Sequence, residues 1–438
     1  MAISVARRSA FEILRRVETE SAFAAVLLAT LDAEMRDNDR ALTHELVLGV
    51  LQRKLWLDRV IEHFSNRKFD GLDLNVRIAL ELGLYQLRFL TRIPAAAAVN
   101  ESVSLVRASR EKSASGFVNA VLRRATREKK YDPVSDISDP IDKLSIETSH
   151  PRWMLERWIQ AFGFAEASQF ARANNERPPT AFRLTRSAQA ESVMNDLSAA
   201  GAELIPSKIS QDAWRVSGAG RVLHELMASG AVYIQDEASQ LLAHALQPQT
   251  GSWVLDVTAA PGSKASHIAM LAPGAHVIAG DIHLYRGKTM RQLAQMQGAR
   301  IHVLVHDAAN ALPFPDALFD RVLLDAPCSG TGTLRRNPEI RYRLKAEDIV
   351  VLAAQQTRML SNAARVVRPG GRLLYSTCSV EPEENEQVVN TFLKDAAEFE
   401  KAEPRVPSQL ITSESHVRTW PHRDGCDGFF FTSFERRD

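Results

Sequence analysis

The sequence predicts a multidomain protein with an all-α region first, a small α+β module next and a doubly wound α/β domain last. Three observations predict it. From Val5 to Lys130 apolar residues recur at helical spacing, and glycine and proline are sparse. Between Pro151 and about Ala245 one helical stretch is followed by short strand-like runs. Beyond Gly251 apolar runs alternate regularly with amphipathic stretches, the pattern of a parallel sheet covered by helices on both faces. The boundaries read as 1–135, 136–245 and 246–438.

In the first region Leu42, Leu46, Val50 and Leu57 form one apolar stripe, and Val76, Leu80, Leu84 and Leu87 another. Ile93-Pro94 ends the helix carrying Tyr85, because proline disfavours helical geometry in the residue before it, and Asn100-Glu101 opens the next. Tyr131 to His150, with Pro133, Pro140 and several Asp and Ser, lacks periodicity and reads as a linker. The middle module offers a helix at Trp153–Phe162 and strands at Ala181–Thr185, Ala213–Val216 and Ala231–Ile234. The last domain offers strands at Trp253–Leu255, His276–Ala279, Ile301–Val305, Arg321–Leu324 and Leu373–Tyr375. Helices follow Lys264, cover Arg286–Gln297 and run through Leu352, Met359 and Val366, before a turn at Pro369-Gly370-Gly371.

At 438 residues the chain exceeds one ordinary core. With 45% hydrophobic and 24% charged residues, no bilayer-length apolar run and no charged-then-apolar leader at Met1-Ala2-Ile3-Ser4, it reads as a soluble, cytoplasmic monomer with no membrane partner. Three scattered cysteines are not a disulfide framework, and Cys426, without a motif, reads as a surface or packing thiol. A net charge of +1 says little about partners, but two basic runs do. Arg123, Arg124, Arg127, Lys129 and Lys130 form one, and Arg335, Arg336, Arg341, Arg343 and Lys345 the other; both are candidate phosphate-contacting surfaces.

In a doubly wound sheet, ligands bind beyond the carboxyl ends of the strands. The first strand ends at Asp256, and Thr258-Ala259-Ala260-Pro261-Gly262-Ser263-Lys264 turns into a helix whose first N–H groups attract a polar or anionic ligand end. Asp281 lies 25 positions on, where a carboxylate accepts both hydrogen bonds of a ribose diol, and Asp307 is placed to meet an adenine edge. A turn or N-cap role is the competing reading of each acid. The turn lacks G-x-G-x-x-G, which favours S-adenosylmethionine over a dinucleotide.

Cys328, in Asp325-Ala326-Pro327-Cys328-Ser329, and Cys378, in Ser376-Thr377-Cys378-Ser379, follow two further strands. A thiol there suits methylation of a pyrimidine, whose C5 becomes nucleophilic once a thiolate adds at C6. Either cysteine is eligible for that attack. Asp325 is placed to hydrogen-bond N3 or the exocyclic amine of the base, and Lys264 or a helix N-terminus to lower a thiol pKa.

The segments Asp256–Lys264, Asp325-Ala326-Pro327-Cys328-Ser329-Gly330-Thr331-Gly332 and Tyr375-Ser376-Thr377-Cys378-Ser379-Val380-Glu381-Pro382-Glu383-Glu384-Asn385 resemble the three signatures of the Sun/Fmu family of RNA cytosine-5 methyltransferases. Asp39–Leu51, Leu82–Leu87 and Gly116–Arg124 are similar to the NusB-type RNA-binding domain of its RsmB branch, as are Ser149–Trp153, Gln235–Ser239 and Asp427–Phe431 to later parts of that branch. The resemblance implies a Rossmann-like methyltransferase domain, S-adenosylmethionine as cofactor and a cytosine of 16S ribosomal RNA as substrate. It also implies Cys378 as nucleophile, Cys328 as the adduct-release group, and cofactor contacts on the turn and on Asp281, Asp307 and Asp325. Thr258, Ser263 and Ala265 depart from the family's Cys-Ala-Ala-Pro-Gly-Gly-Lys-Thr. Serine at 263 is expected to tolerate a positive φ poorly and to crowd the cofactor's methionine end. Two other readings compete: a noncatalytic NusB-like RNA-binding or ribosome-assembly factor, and a cytosine-5 enzyme acting on tRNA or DNA.

Overall fold

The computed structural model describes residues 3–31 and 35–438; Met1 and Ala2, where the leader was sought, lie outside them. Two compact units result, Met1–Glu176 with Leu334–Leu344, and Arg177–Thr333 with Lys345–Asp438.

The first unit is helical. Helices Val5–Glu20, Asp37–Gln52, Lys54–Ser65, Leu74–Phe89, Ala95–Arg107 and Ser115–Arg127 enclose one core that holds Leu46, Val50, Leu57, Val76, Leu80 and Leu84, with Leu42 and Leu87 at its margin. Asn100 does not open a helix: the chain turns helical immediately after Pro94, and Asn100 lies inside Ala95–Arg107. The expected linker is not structureless either. It contains the helix Pro140–Thr148, started by proline in its first turn and by Asp139, whose carboxylate accepts from the N–H groups of Ile141 and Asp142 at 2.9 Å each.

Leu334–Leu344 completes this unit, and it corrects the reading of the second basic run. Arg341 is fully buried; it donates to Asn175 Oδ1 at 2.8 Å and to the carbonyls of Asn174, Thr148 and Gln52 at 2.9, 3.1 and 3.3 Å. Arg335 is buried too, and Arg343 donates to the carbonyls of Val17 and Ala22 at 2.7 Å each. The guanidinium groups of Arg341 and Arg343 serve protein carbonyls and Arg335 is buried, so these three present no phosphate-binding face. Arg123, Arg127, Lys129 and Lys130 of the first run are exposed.

The second unit opens with β1 (Thr180–Leu184), β2 (Glu203–Pro206), β3 (Ala213–Ser217) and β4 (Val232–Ile234), an antiparallel sheet in the order β2-β3-β1-β4. Phe182, Val216 and Val232 pack there against Val193, Leu197 and Leu223 from two helices. The edge strand β2 is mostly exposed and ends in proline, so no apolar alternation announces it. The larger sheet contains β5 (Trp253–Asp256), β6 (His276–Asp281), β7 (His302–Val305), β8 (Phe319–Asp325), β9 (Val367–Thr377), β10 (Phe399–Ala402), β11 (Val417–Arg418) and β12 (Phe430–Arg436). Its order is β10-β12-β9-β8-β5-β6-β7, with β11 beside β12; β5 to β9 are parallel and β12 is antiparallel to its neighbours. Pro369-Gly370-Gly371 is not a turn between helix and strand. It lies inside β9, where Phe319 pairs Val367 but Arg321 pairs Arg372, a bulge that Gly370 accommodates with φ of 65°. Cys426 is a core residue, which makes it the packing and not the surface thiol. No helix among the described residues is long and apolar enough to cross a membrane.

Candidate active site

Strand order reverses beside β5, whose neighbours are β6 and β8, and the expected site residues gather at the carboxyl ends of these strands. Ala259 N–H donates to Gly280 O at 2.7 Å, which seats the turn on β6. Gly262 then takes φ of 102° and leads into the helix Ser263–Leu271. The positive φ therefore falls on Gly262, not on Ser263. Serine is an ordinary first helical residue, and the strain expected from replacing the family glycine does not arise. Its carbonyl accepts from Arg183 Nη2 at 3.1 Å, so the buried Arg183 of β1 anchors the start of this helix.

Asp256 is fully buried, neither of its carboxylate oxygens has a hydrogen-bond partner of ordinary geometry, and burial pushes its carboxyl up to about 7. Asp281, the last residue of β6, accepts from His283 N–H at 2.8 Å. Asp307 follows β7 and accepts from Ala309 N–H and Asn310 Nδ2 at 2.9 Å each. Both acids thus shape their own turns while keeping acceptor capacity for a ligand. Tight glycine geometry belongs to the same place: a Cβ on Gly280 would lie 2.0 Å from His306 Nε2, and one on Gly262 3.3 Å from Met290 Cγ. Small-residue backbone beside strand-end carboxylates fits S-adenosylmethionine, which carries a ribose diol, an adenine and a cationic sulfonium.

The two cysteines meet. β8 and β9 run parallel with Asp325 opposite Ser376, and beyond them Cys328 Sγ and Cys378 Sγ stand 3.4 Å apart. Asp325 is the hub between turn and thiols. Its carboxylate accepts from Ser376 Oγ at 2.7 Å and pairs with Lys264 Nζ at 2.7 Å, and its carbonyl accepts from Thr258 Oγ1 at 2.8 Å. Thr258, at the family's cysteine position, therefore ties the cofactor turn to β8. Burial alone would lower the Lys264 pKa, but Asp325, Asp256 and Cys378 reverse that and raise it, so the group stays an ammonium. Cys328 is pushed well above the ordinary thiol range by its bond to Cys378, by burial and by nearby negative charge, so it holds its proton.

Several residues of this site carry no separate signal in the sequence. Ser329 and Ser379, each next to a cysteine, both donate to the buried Glu384, and Gln356, midway along the helix Ala346–Arg365, donates to Glu384 and to Pro327 O. Glu384 and both serines lie inside the quoted signatures, where their spacing alone gives them no partner. Gln356 sits among apolar helix positions and stands out by nothing.

Residues 243–435 match the family described as 16S rRNA methyltransferase RsmB/F, 4–127 the NusB family and 150–223 the ferredoxin-like domain of RsmF/B-like methyltransferases. A probable ribosomal RNA small subunit methyltransferase B of Bacillus subtilis is 34% identical over 98% of this chain and 98% of its own. The chain belongs to the RsmB/F methyltransferase family. Ribosomal RNA small subunit methyltransferase B of Erwinia tasmaniensis is 32% identical over 98% of both chains. Among solved structures, PH0851 superposes over the full length of both chains with a TM-score of 0.84 at 27% identity. A methyltransferase homologue from Pyrococcus horikoshii covers 69% of this chain and 100% of its own, with a TM-score of 0.59 at 25% identity. S-adenosylmethionine is the methyl donor of this RsmB/F protein, and its three parts are a NusB domain, a ferredoxin-like module and a Rossmann-like methyltransferase domain.

Proposed function

We propose that this protein methylates C5 of a cytosine in 16S ribosomal RNA through a covalent adduct between Cys378 and C6 of the base. The observation that carries the reading is the pair of thiols 3.4 Å apart at the ends of adjacent parallel strands, beside the Lys264–Asp325 ion pair. S-adenosylmethionine, when bound, supplies an electrophilic methyl group. Thr258 to Lys264 hold its methionine end, Asp281 its ribose and Asp307 its adenine. Cys378 attacks C6 and makes C5 nucleophilic, while Asp325 holds the base edge. Lys264 favours the thiolate electrostatically. Once C5 carries the methyl group, Cys328 gives its proton to the departing Cys378 sulfur as the Sγ–C6 bond breaks and takes the C5 proton in exchange; its elevated pKa keeps it protonated for the first of these transfers. Residues 1–135 and 136–245 hold the RNA, with the exposed Arg123, Arg127, Lys129 and Lys130 suited to phosphate contact. Relatives named small subunit methyltransferase B support the choice of ribosomal RNA over tRNA.

Two cysteine variants separate the roles. Cys378→Ala is expected to abolish methylation, and Cys328→Ala to leave RNA in a denaturant-resistant adduct; trapping by Cys378→Ala instead would reverse the assignment. Bisulfite sequencing of total RNA from cells with and without the protein tests the substrate. No change at any 16S cytosine would sink it.

A further inference from the structure

Glu384 has no part in the chemistry above, yet it lies behind both thiols. Its side chain is fully buried and four donors converge on it. Oε1 accepts from Ser329 N–H at 2.8 Å and Gln356 Nε2 at 2.9 Å; Oε2 accepts from Ser329 Oγ and Ser379 Oγ at 2.5 Å each. Ser329 follows Cys328 and Ser379 follows Cys378. One carboxylate thus grips the residue after each cysteine, and its acceptor capacity is filled by the act.

A second ring of bonds locks the grip. Gln356 Nε2 also donates to Pro327 O at 2.9 Å, on the other side of Cys328. Tyr375 OH donates to the carbonyl of Glu384 at 2.5 Å and to Gln356 Oε1 at 3.2 Å. The loops are joined directly as well, through Gly332 N–H to Cys378 O at 2.9 Å and Val380 N–H to Thr331 Oγ1 at 3.1 Å. We propose that Glu384 is the positioning residue that sets the separation of the two thiols, an inference that rests on both thiols acting in one reaction. The alternative is a fold staple with no bearing on the chemistry, and the two differ in what replacement does. Alanine leaves Ser329 N–H, two hydroxyls and Gln356 without their acceptor. Glutamine keeps one acceptor oxygen for Ser329 N–H and Gln356, and turns its amide towards two hydroxyls that can rotate to accept.

The test uses full-length protein with Glu384→Ala and Glu384→Gln. Three quantities are measured: kcat, KM for 16S RNA, and the rate at which diamide closes a Cys328–Cys378 disulfide. In that closure the two thiols lose two hydrogens to the diazene, which becomes a hydrazine, and mass spectrometry after alkylation counts the product. For Glu384→Ala we expect kcat to fall about 10²-fold with KM within about threefold, and disulfide closure to slow about tenfold or more. Glu384→Gln is expected to restore the closure rate and most of kcat. Its Cys328 alkylation profile should move to lower pH, because the carboxylate charge that raises that thiol is gone. Wild-type kcat and closure in Glu384→Ala overturn the proposal, and so does a fall in kcat with closure unchanged. If the unaltered protein makes no 5-methylcytosine, the covalent reading fails while the closure rates still decide the positioning role. Should Glu384→Ala not fold, Ser329→Ala and Ser379→Ala, each deleting a hydroxyl donor to the same carboxylate, take its place and are judged by the same two rates.

Discussion

Gly332→Ala is the sharpest perturbation of the site that leaves both cysteines in place. Gly332 donates its N–H to Cys378 O at 2.9 Å and accepts from Gly428 N–H at 2.8 Å. A Cβ there would lie 1.9 Å from Gly428 O, 2.7 Å from Gly428 C and 2.9 Å from Cys378 O, all of them backbone atoms with no rotamer to escape into. Restoring ordinary contact requires the loops to part by about 1.5 Å, and misplacement on the order of 1 Å costs about 10²-fold in rate. That is about 2.7 kcal/mol of transition-state stabilisation. Single-turnover methylation of a 16S transcript, with S-adenosylmethionine binding measured separately by calorimetry, distinguishes this from loss of the cofactor site. Gly428→Ala gives an internal scale: its Cβ would meet Gly332 Cα at 2.9 Å and Val380 Cγ1 at 3.2 Å, so the loss should be smaller. Wild-type turnover in Gly332→Ala, or a larger defect in Gly428→Ala, would refute the reasoning.

Arg341→Met loses the four charge-assisted hydrogen bonds of 3.3 Å or shorter, each worth about 1.5 kcal/mol, and a longer one to Ser149 O, against a burial cost of about 3 kcal/mol implied by a pKa lowered to about 10. The helical unit should lose about 3 kcal/mol, read as faster hydrogen exchange in 140–148 and 334–344; unchanged exchange would contradict it. Ser263→Gly, which restores the family residue, should leave S-adenosylmethionine affinity within about threefold, because Gly262 already supplies the positive φ. A tenfold gain in affinity would show that serine does crowd the cofactor. His267 is buried, and that burial lowers its pKa to about 4 despite the bond to Asp212. The unfolded chain therefore binds the proton first, so stability is full above pH ~6.5 and falls by up to about 3 kcal/mol as pH drops towards 4. Denaturant titrations of His267→Gln should show a shallower loss over that window, and an identical slope would exclude His267 as the cause.

The fold was legible wherever pattern and burial agree. Apolar runs ending at Asp256, Asp281 and Asp325 are buried strands of a parallel sheet, so period and composition announce them together. Pro369-Gly370-Gly371 misleads because turn composition is also bulge composition, and only the pairing with Phe319 and Arg321 tells them apart. Asp139-Pro140 carries a helix-start signature that loop-like surroundings obscured. Arg341 and Arg343 look like a polyanion surface because a sequence shows charge and hides the carbonyls that receive it. At the site, the cysteines stood out through their motifs, whereas Glu384 acquires its meaning only through Ser329, 55 positions earlier.

The chain leaves the second unit after Thr333 and re-enters it at Lys345. The helical unit is therefore not finished when Glu176 leaves the ribosome. At about 5–20 residues per second, the segment that supplies Arg341 emerges roughly 10–30 s later. Until then the carbonyls of Gln52, Thr148 and Asn174 await their donor. The unit made first is thus completed late, and a gene cut at residue 176 separates neither half cleanly: one loses its last segment, and the other keeps a buried arginine with nothing to bury it.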